Sequence, residues 1–165
     1  MGMSVTISVA TEQDVEQIFR LQYLCFQREA ALYGNYRIDP LVQPLDEVRR
    51  EVATDCVFVA RLGDEVVGSV RGHLDEDGPA SIGKLCVHPR LQGHGIGARL
   101  LRAAESALER ERGATRFRLH TGHRSEGNLR LYRRVGYETV GTAEGADGVP
   151  MIVLEKAAGA YAATA

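Results

Sequence analysis

The chain has 165 residues, enough to bury a core as a single domain. Its charged fraction of 25% is ordinary for a globular protein, and a net charge of −2 gives no electrostatic case for binding nucleic acid or an anionic membrane. Sequence features of membrane spans, secretory signals and cysteine metal pairs are missing. We therefore expect a cytoplasmic protein with three free thiols and no bound metal.

The first third of the chain predicts one strand followed by helices. Apolar and polar residues alternate over 5–10, as in a half-buried strand. A threonine followed three residues later by an aspartate resembles a capping box and begins a predicted helix over 11–31. Glycine and two prolines predict a loop over 34–44, and a short helix follows at about 45–53.

Strand signals dominate the centre of the chain. They cover 56–62, 65–74 and 80–87, and the connections are short enough to predict an antiparallel meander. Apolar residues then recur at helical spacing from about 95 to 112, and a glycine follows as the predicted C-cap.

The last third predicts a strand, a helix and a final hairpin. The strand covers 115–121, and the helix over 125–135 has Ser125 at its N-cap. The segments "GYETVG" and "PMIVLEK" predict the two strands of the hairpin. Residues 158–165 have little to bury and are expected to form a disordered tail.

The element order predicts an α/β (α+β) fold formed by one domain, 1–157. The order is β-α-α-β-β-β-α-β-α-β-β, which predicts a mixed, mostly antiparallel sheet of about seven strands with helices on both faces. Strand 80–87, its helix and strand 115–121 form a β-α-β crossover, so these two strands should be parallel.

The segment "QGHGIG" (92–97) lies where the long helix begins. A helix start presents unpaired N–H groups and partial positive charge, and glycines let backbone amides approach an anion closely. The pattern favours a phosphate cradle, to which Arg90, His94 and Arg99 could add charge; the alternative is a flexible turn. Neither GxxxxGK[ST] nor GxGxxG is present, which disfavours nucleoside triphosphates and dinucleotides.

Two motifs resemble those of the GNAT superfamily of N-acetyltransferases. "IGKLCVHPRLQGHGIGARLL" (82–101) is similar to its acetyl-CoA motif, with Gln92, Gly95 and Gly97 matching Q/R-x-x-G-x-G/A. "NLRLYRRVGY" (128–137) resembles a second family motif, and the element order agrees over nearly the whole chain. The resemblance implies a GNAT-like fold and acetyl-CoA as cosubstrate.

The resemblance also implies which residues bind coenzyme A. The pyrophosphate would lie on the backbone of the glycine loop, formed by Gln92, Gly93, His94, Gly95, Ile96, Gly97 and Ala98. The pantetheine arm would pair with Leu85, Cys86 and Val87, and the amide of Val87 would polarise the thioester carbonyl.

Tyr132 matches the family tyrosine near the CoA sulfur. A phenol is protonated at pH 7 and can donate a proton to the leaving thiolate, which makes Tyr132 the candidate general acid. The alternative is that Tyr132 only packs its helix on the sheet. Asn128 is a further candidate contact to CoA, although the family asparagine often lies seven residues before the tyrosine, which is Ser125 here.

The general base and the acceptor site are less defined by the sequence. Candidate bases are Glu29, His73, His120, His123 or a water chain, and each histidine has a structural alternative. Aromatic and acidic residues cluster in 19–45, which suits a cationic amine. The candidate substrate residues are Tyr23, Glu29, Tyr33 and His120.

The leading hypothesis is an N-acetyltransferase in which an amine attacks acetyl-CoA directly, because no covalent nucleophile is recognisable. The acceptor would be an amine-bearing small molecule or peptide, and the protein a monomer or homodimer. One alternative is a non-catalytic CoA-binding regulatory domain on the same fold. A second alternative is a nucleotide-binding or purely structural module.

Overall fold

A seven-stranded sheet forms the centre of the fold in a computed structural model that describes residues 4–76, 78–145 and 148–159. The strands follow the order β1-β2-β3-β4-β5-β7-β6 across the sheet. They are β1 (Val5–Val9), β2 (Cys56–Leu62), β3 (Glu65–Leu74), β4 (Ala80–Val87), β5 (Arg116–Gly122), β6 (Glu138–Glu144) and β7 (Pro150–Ala157). Neighbouring strands are antiparallel apart from β4 and β5, which are parallel. The predicted mixed sheet is confirmed.

Six α-helices of the described part of the chain pack around the sheet. They are α1 (Val15–Cys25), α2 (Gln27–Tyr33), α3 (Asp39–Val42), α4 (Leu45–Thr54), α5 (Ile96–Arg112) and α6 (Glu126–Arg134). Alternate residues of β2 point to two separate cores: Ala60 belongs to the core beneath α5, and Val57 and Val59 to the core beneath α1 and α4. Both faces of the sheet are therefore covered.

Two elements of the first third differ from the sequence prediction. The predicted helix over 11–31 is two helices, because the backbone at Phe26 leaves helical geometry (ψ +3°) and α2 begins at the next residue. The predicted loop over 34–44 contains α3, which Pro40 favours because proline suits the first turn of a helix. The capping box is present, with the Thr11 N–H donating to Asp14 Oδ2 at 2.8 Å.

The other predicted elements agree with the structure to within a few residues. Ser125 does occupy the N-cap position of α6, but its hydroxyl makes no capping bond, which corrects the prediction that it caps the helix. Of the predicted tail over 158–165, residues 160–165 lie outside the described residues.

The sheet opens between β4 and β5. Their parallel pairing is limited to Ala80 with Phe117 and Ser81 with Arg118, near the start of each strand. Beyond this point β4 stays paired with β3 and β5 with β7, so a gap forms between the carboxyl ends of β4 and β5. The candidate site lies in this gap.

Within the described ranges, no helix combines the length and the apolar composition needed to cross a membrane. The same residues contain no group of three or more histidine, cysteine, aspartate or glutamate side chains arranged to hold a metal ion.

Candidate active site

A β-bulge in β4 lies at the edge of the gap. Ser69 of β3 pairs with Cys86, but Arg71, two residues later, pairs with Gly83, so β4 carries one extra residue. Lys84 lies in this bulge and has a left-handed backbone (φ +50°), which is unusual for a residue with a side chain. The bulge re-aims β4 directly before Leu85, the first of the residues predicted to bind the pantetheine arm.

A cavity of about 560 Å³ occupies the gap, a volume typical of small-molecule sites. The ends of β4 and β5 form its floor, α6 one wall and α2 with the segment after it the other. Six of the predicted site residues meet there: Glu29, Tyr33, Leu85, His120, Asn128 and Tyr132.

The glycine loop leads into α5. Gly93 (φ +85°) and Gly95 (φ +79°) both have left-handed backbones, and Gly95 is the N-cap of the 17-residue α5. A Cβ atom at either position would meet nothing within 4 Å, so this backbone faces open space. The Gln92 amide ties the loop to β4 by donating to the Val87 carbonyl at 3.3 Å. Such a loop fits an anion on the helix N-terminus.

The other residues of the loop are divided between surface and core. Ile96 is buried in the core beneath α5, whereas His94 is exposed. The Arg99 guanidinium donates to the Val5 carbonyl of β1 at 2.9 Å. This contact turns Arg99 toward β1, contrary to the expectation that it adds charge at the loop.

Tyr132 is buried in the wall that α6 forms. Its side chain lies edge-on against Tyr137, with ring centroids 6.2 Å apart, and the residue is 6% exposed. Burial raises the pKa of the Tyr132 hydroxyl well above its usual value, and the negative charge of Glu29 raises it further. Tyr132 is therefore a neutral phenol at physiological pH, in the form that can donate a proton.

Glu29 and Tyr33 of α2 contact the residues that precede α6. The Tyr33 hydroxyl lies 2.8 Å from Ser125 Oγ and accepts the Arg124 N–H at 2.9 Å. Ser125 Oγ in turn donates to the Glu29 carboxylate. The Tyr33 ring lies over Gly122, where a Cβ atom would be 2.0 Å from the Tyr33 hydroxyl oxygen. Only glycine leaves room for this ring.

The two alternative CoA contacts on α6 differ in what already engages them. Ser125 is buried, and its hydroxyl is occupied by Tyr33 and Glu29. Asn128 lines the cavity, and its amide makes one long contact, 3.5 Å, to Thr121 Oγ1. Asn128 therefore keeps more of its hydrogen-bonding capacity for a ligand than Ser125 does.

The histidines predicted as bases lie in different places. His120 lines the cavity, and burial together with the nearby Arg118 cation lowers its pKa, so its imidazole is neutral at pH 7. His73 forms an exposed contact with Asp75 at 2.9 Å and does not line the cavity. His123 packs against Tyr33 at the surface, with ring centroids 5.9 Å apart. Tyr23 is 57% exposed and lies outside the cavity lining.

Lys84 is a cavity residue that the sequence reasoning did not assign. Its ammonium lies 2.9 Å from Asp39 Oδ2 and 3.4 Å from Glu51 Oε2. Glu51 also accepts from Gln43 Nε2 at 2.8 Å and from Arg71 Nε at 3.0 Å. Burial alone would raise the pKa of Glu51, but these hydrogen bonds and the two cations hold it below its usual value. The residues that make these contacts with Lys84 and Glu51 are far apart in sequence, so no local pattern indicates the cluster that they form.

A family model matches most of the chain. The model of the acetyltransferase (GNAT) family matches residues 15–137, about three quarters of the chain. The chain belongs to the GNAT family of acetyltransferases. A search of the curated proteins found no match.

Solved structures of other acetyltransferases share the fold of this GNAT protein. PaiA N-acetyltransferase from Thermoplasma acidophilum, in complex with coenzyme A, superposes with a TM-score of 0.78 at 16% identity, over 94% of this chain and 99% of that one. An N-acetyltransferase from Staphylococcus aureus Mu50 gives 0.74 at 16%, over 93% and 98%. The ribosomal-protein-S18-alanine N-acetyltransferase from Escherichia coli gives 0.68 at 15%, over 94% and 94%.

Proposed function

We propose that this protein transfers the acetyl group of acetyl-CoA to a primary amine by direct attack within a ternary complex, with Tyr132 as general acid. The observation that carries the proposal is the position of Tyr132, a buried neutral phenol in the wall of a cavity between splayed β4 and β5. The family supports acetyl transfer in general, and the glycine loop and the bulged strand support the binding of acetyl-CoA.

The residues proposed to hold acetyl-CoA lie on both sides of the gap. The backbone of 92–98 would hold the pyrophosphate at the start of α5, and Leu85, Cys86 and Val87 would pair with the pantetheine arm. Asn128 would contact the arm from α6. No residue with a side chain fits the left-handed backbone at Gly93 and Gly95 without strain, which agrees with a loop that must curl around an anion.

Side chains that line the cavity can accept and supply the protons that the reaction moves. An ammonium loses one proton before attack, and of the four side chains predicted as bases only Glu29 and His120 line the cavity. The amine nitrogen then forms a bond to the thioester carbon, and the C–S bond breaks. The departing thiolate takes the Tyr132 hydroxyl proton, and the second proton, released by the nitrogen as the amide forms, restores the Tyr132 phenol.

The test combines binding with turnover. Calorimetry measures acetyl-CoA affinity with ATP and NAD as controls, and release of free CoA thiol is followed with amino acids, polyamines, aminoglycosides and short peptides as acceptors. Tyr132→Phe is expected to lower kcat about 100-fold, since general acid catalysis contributes on this scale, while acetyl-CoA still binds. Tyr36→Phe is the matched control, because Tyr36 is 58% exposed and outside the cavity lining.

Three outcomes would contradict the proposal. Binding of acetyl-CoA without turnover for any amine would favour the non-catalytic regulatory domain. Preferential binding of ATP or NAD would favour a nucleotide-binding module. Equal kcat for wild type and Tyr132→Phe would remove Tyr132 from the mechanism and leave acetyl transfer in place.

A further inference from the structure

Some of the charged side chains that line the cavity are neutralised by a partner, and others are not. Asp39 and Lys84 form an ion pair at 2.9 Å and offset each other. His120 is neutral at pH 7, because burial and the Arg118 cation lower its pKa. Among the described residues, the remaining charged side chains of the lining are Glu29 and Arg37.

Glu29 is the end of a hydrogen-bond chain that runs in one direction. The Arg124 N–H donates to the Tyr33 hydroxyl oxygen at 2.9 Å, which leaves the Tyr33 O–H to donate to Ser125 Oγ at 2.8 Å. Ser125 then donates to Glu29 Oε1. Every donor in this chain is neutral, and no lysine, arginine or histidine of the described residues pairs with Glu29. This series of hydrogen bonds therefore holds the Glu29 carboxylate in the cavity without neutralising its negative charge.

Arg37, which is exposed, supplies a positive charge to the lining of the cavity. It follows α2, and its backbone N–H donates to Asn35 Oδ1 at 2.9 Å, which shapes the turn that brings it to the cavity. Among the residues that the structure describes, its guanidinium has neither an ion pair nor a hydrogen bond. A guanidinium presents paired N–H donors that match the two oxygens of a carboxylate.

We infer that the acceptor is a small zwitterionic amine of the amino-acid class, with its ammonium on Glu29 and its carboxylate on Arg37. This inference rests on the proposed function, because it names the acceptor of that reaction. Glu29 and Tyr132 line the same cavity, so an ammonium on Glu29 would share that cavity with the proposed general acid. The rest of the lining includes apolar side chains suited to an uncharged side chain of the acceptor, among them Phe26, Ile38, Val42 and Met151.

Other acceptor classes fit the cavity less well. A polyamine or aminoglycoside carries several cations, and Arg37 would repel the second one. A protein N-terminus has an amide where the amino acid has its carboxylate, and would leave Arg37 without a partner.

The experiment compares three amines that share the isopentyl group and differ in whether a carboxylate, an amide or neither is attached to it. Leucine, leucinamide and isopentylamine are tested as acceptors at saturating acetyl-CoA, by the rate of CoA thiol release. Leucine is expected to have a kcat/KM about tenfold above the other two, the scale of one charged hydrogen-bonded contact. Arg37→Gln is expected to abolish this preference, and Glu29→Gln to lower turnover of all three. Arg20→Gln, an exposed substitution on α1 whose partner is Glu16, is the control and should change neither.

Binding is measured separately, so that the two proposals can fail separately. Calorimetry of leucine into the protein–CoA complex should show saturable binding that Arg37→Gln weakens about tenfold. Leucine that binds in this way without any CoA release would sink acetyl transfer and support the assignment of the pocket. A preference for isopentylamine, spermidine or a peptide amide would overturn the zwitterion inference and leave acetyl transfer standing. Retention of the leucine preference in Arg37→Gln would also overturn it.

Discussion

The Lys84 ammonium lies 2.9 Å from Asp39 Oδ2 and so joins the bulge of β4 to α3. The same ammonium lies 3.4 Å from Glu51 of α4, which connects the bulge to a second helix. These contacts hold a backbone conformation that residues with a Cβ atom rarely adopt (φ +50°). Lys84 therefore combines strain in the main chain with stabilising contacts from its side chain.

Two substitutions at Lys84 separate the cost of its left-handed backbone from the contribution of its ion pairs. Lys84→Met removes both ion pairs and keeps the strain, and is expected to lower the free energy of unfolding by about 1–3 kcal/mol. Lys84→Gly also removes the ion pairs but relieves the strain. Its free energy of unfolding should therefore fall by about 1 kcal/mol less than that of Lys84→Met. Urea unfolding measures both. Equal losses would show that the left-handed backbone at this position costs nothing.

The glycine loop predicts an effect on acetyl-CoA that strain alone does not produce. Gly95→Val places a β-branched residue at φ +79° and is expected to weaken acetyl-CoA binding at least about tenfold, because the amides at the start of α5 must shift. Gly113→Val is the matched control, since Gly113 has φ +72° and open space around it but caps the opposite end of α5. Calorimetry should find normal acetyl-CoA affinity in that variant. Comparable losses in both variants would show that the effect is general destabilisation.

A paired carboxylate far from the cavity predicts how stability depends on pH. Burial would raise the pKa of Asp14, but hydrogen bonds from Arg61 and Thr11 and the charge of Arg61 bring it below its ordinary value. Because the folded pKa is depressed, the stabilisation is complete above the unfolded value of about 3.9 and is lost as the pH falls through the folded pKa. Asp14→Asn should therefore be less stable at pH 7, by about 2–3 kcal/mol.

The measurement is urea unfolding of wild type and Asp14→Asn between pH 7 and pH 3. The difference between the two proteins should shrink as the pH falls, because protonation of Asp14 removes the same ion pair that the substitution removes. Asp46→Asn, at a side chain that is 94% exposed, is the control and should change stability little at any pH. A constant difference between wild type and Asp14→Asn would show that the pair does not titrate in this range.

Local sequence patterns predicted most of the fold because they are properties of short segments. Alternation predicted β1, strand and turn signals predicted β2, β3 and β4, and glycines predicted the loop that starts α5 and the cap that ends it. The break at Phe26 was missed because neither glycine nor proline marks it. The helix α3 was missed because two prolines and a glycine in eleven residues indicate a loop.

The candidate site was predictable only where a motif or a residue type pointed to it. Tyr132 and Asn128 follow from one motif, and Glu29 and Tyr33 from a cluster of aromatic and acidic residues. The cluster of Lys84 with Asp39, Glu51, Gln43 and Arg71 was not predictable, because its members come from α3, α4, β3, β4 and the segment between α3 and α4. Tyr23 belongs to the same aromatic cluster as Tyr33, but its helix directs it to solvent.

The close approach of Tyr33 to Gly122 gives the sharpest test of how the acceptor side of the cavity is held. In Gly122→Ala the new methyl group would lie 2.0 Å from the Tyr33 hydroxyl oxygen, so the ring must move away from Ser125 and the chain to Glu29 must break. We expect kcat/KM for the acceptor to fall about tenfold, the scale of one charged hydrogen-bonded contact. Acetyl-CoA affinity should stay near the wild-type value, because the glycine loop is untouched.

Tyr33→Phe and the double variant complete this test. Tyr33→Phe removes the hydroxyl that links Arg124 to Ser125 without moving the ring, so it should show a similar loss on its own. In Gly122→Ala/Tyr33→Phe the two losses should not add, because both act by breaking the same chain. Gly141→Ala, with nothing within 4 Å of the new Cβ atom, is the control for a glycine substitution in a strand. Additive losses would show that Tyr33 and Gly122 act independently, and the chain to Glu29 would then not be what positions the acceptor.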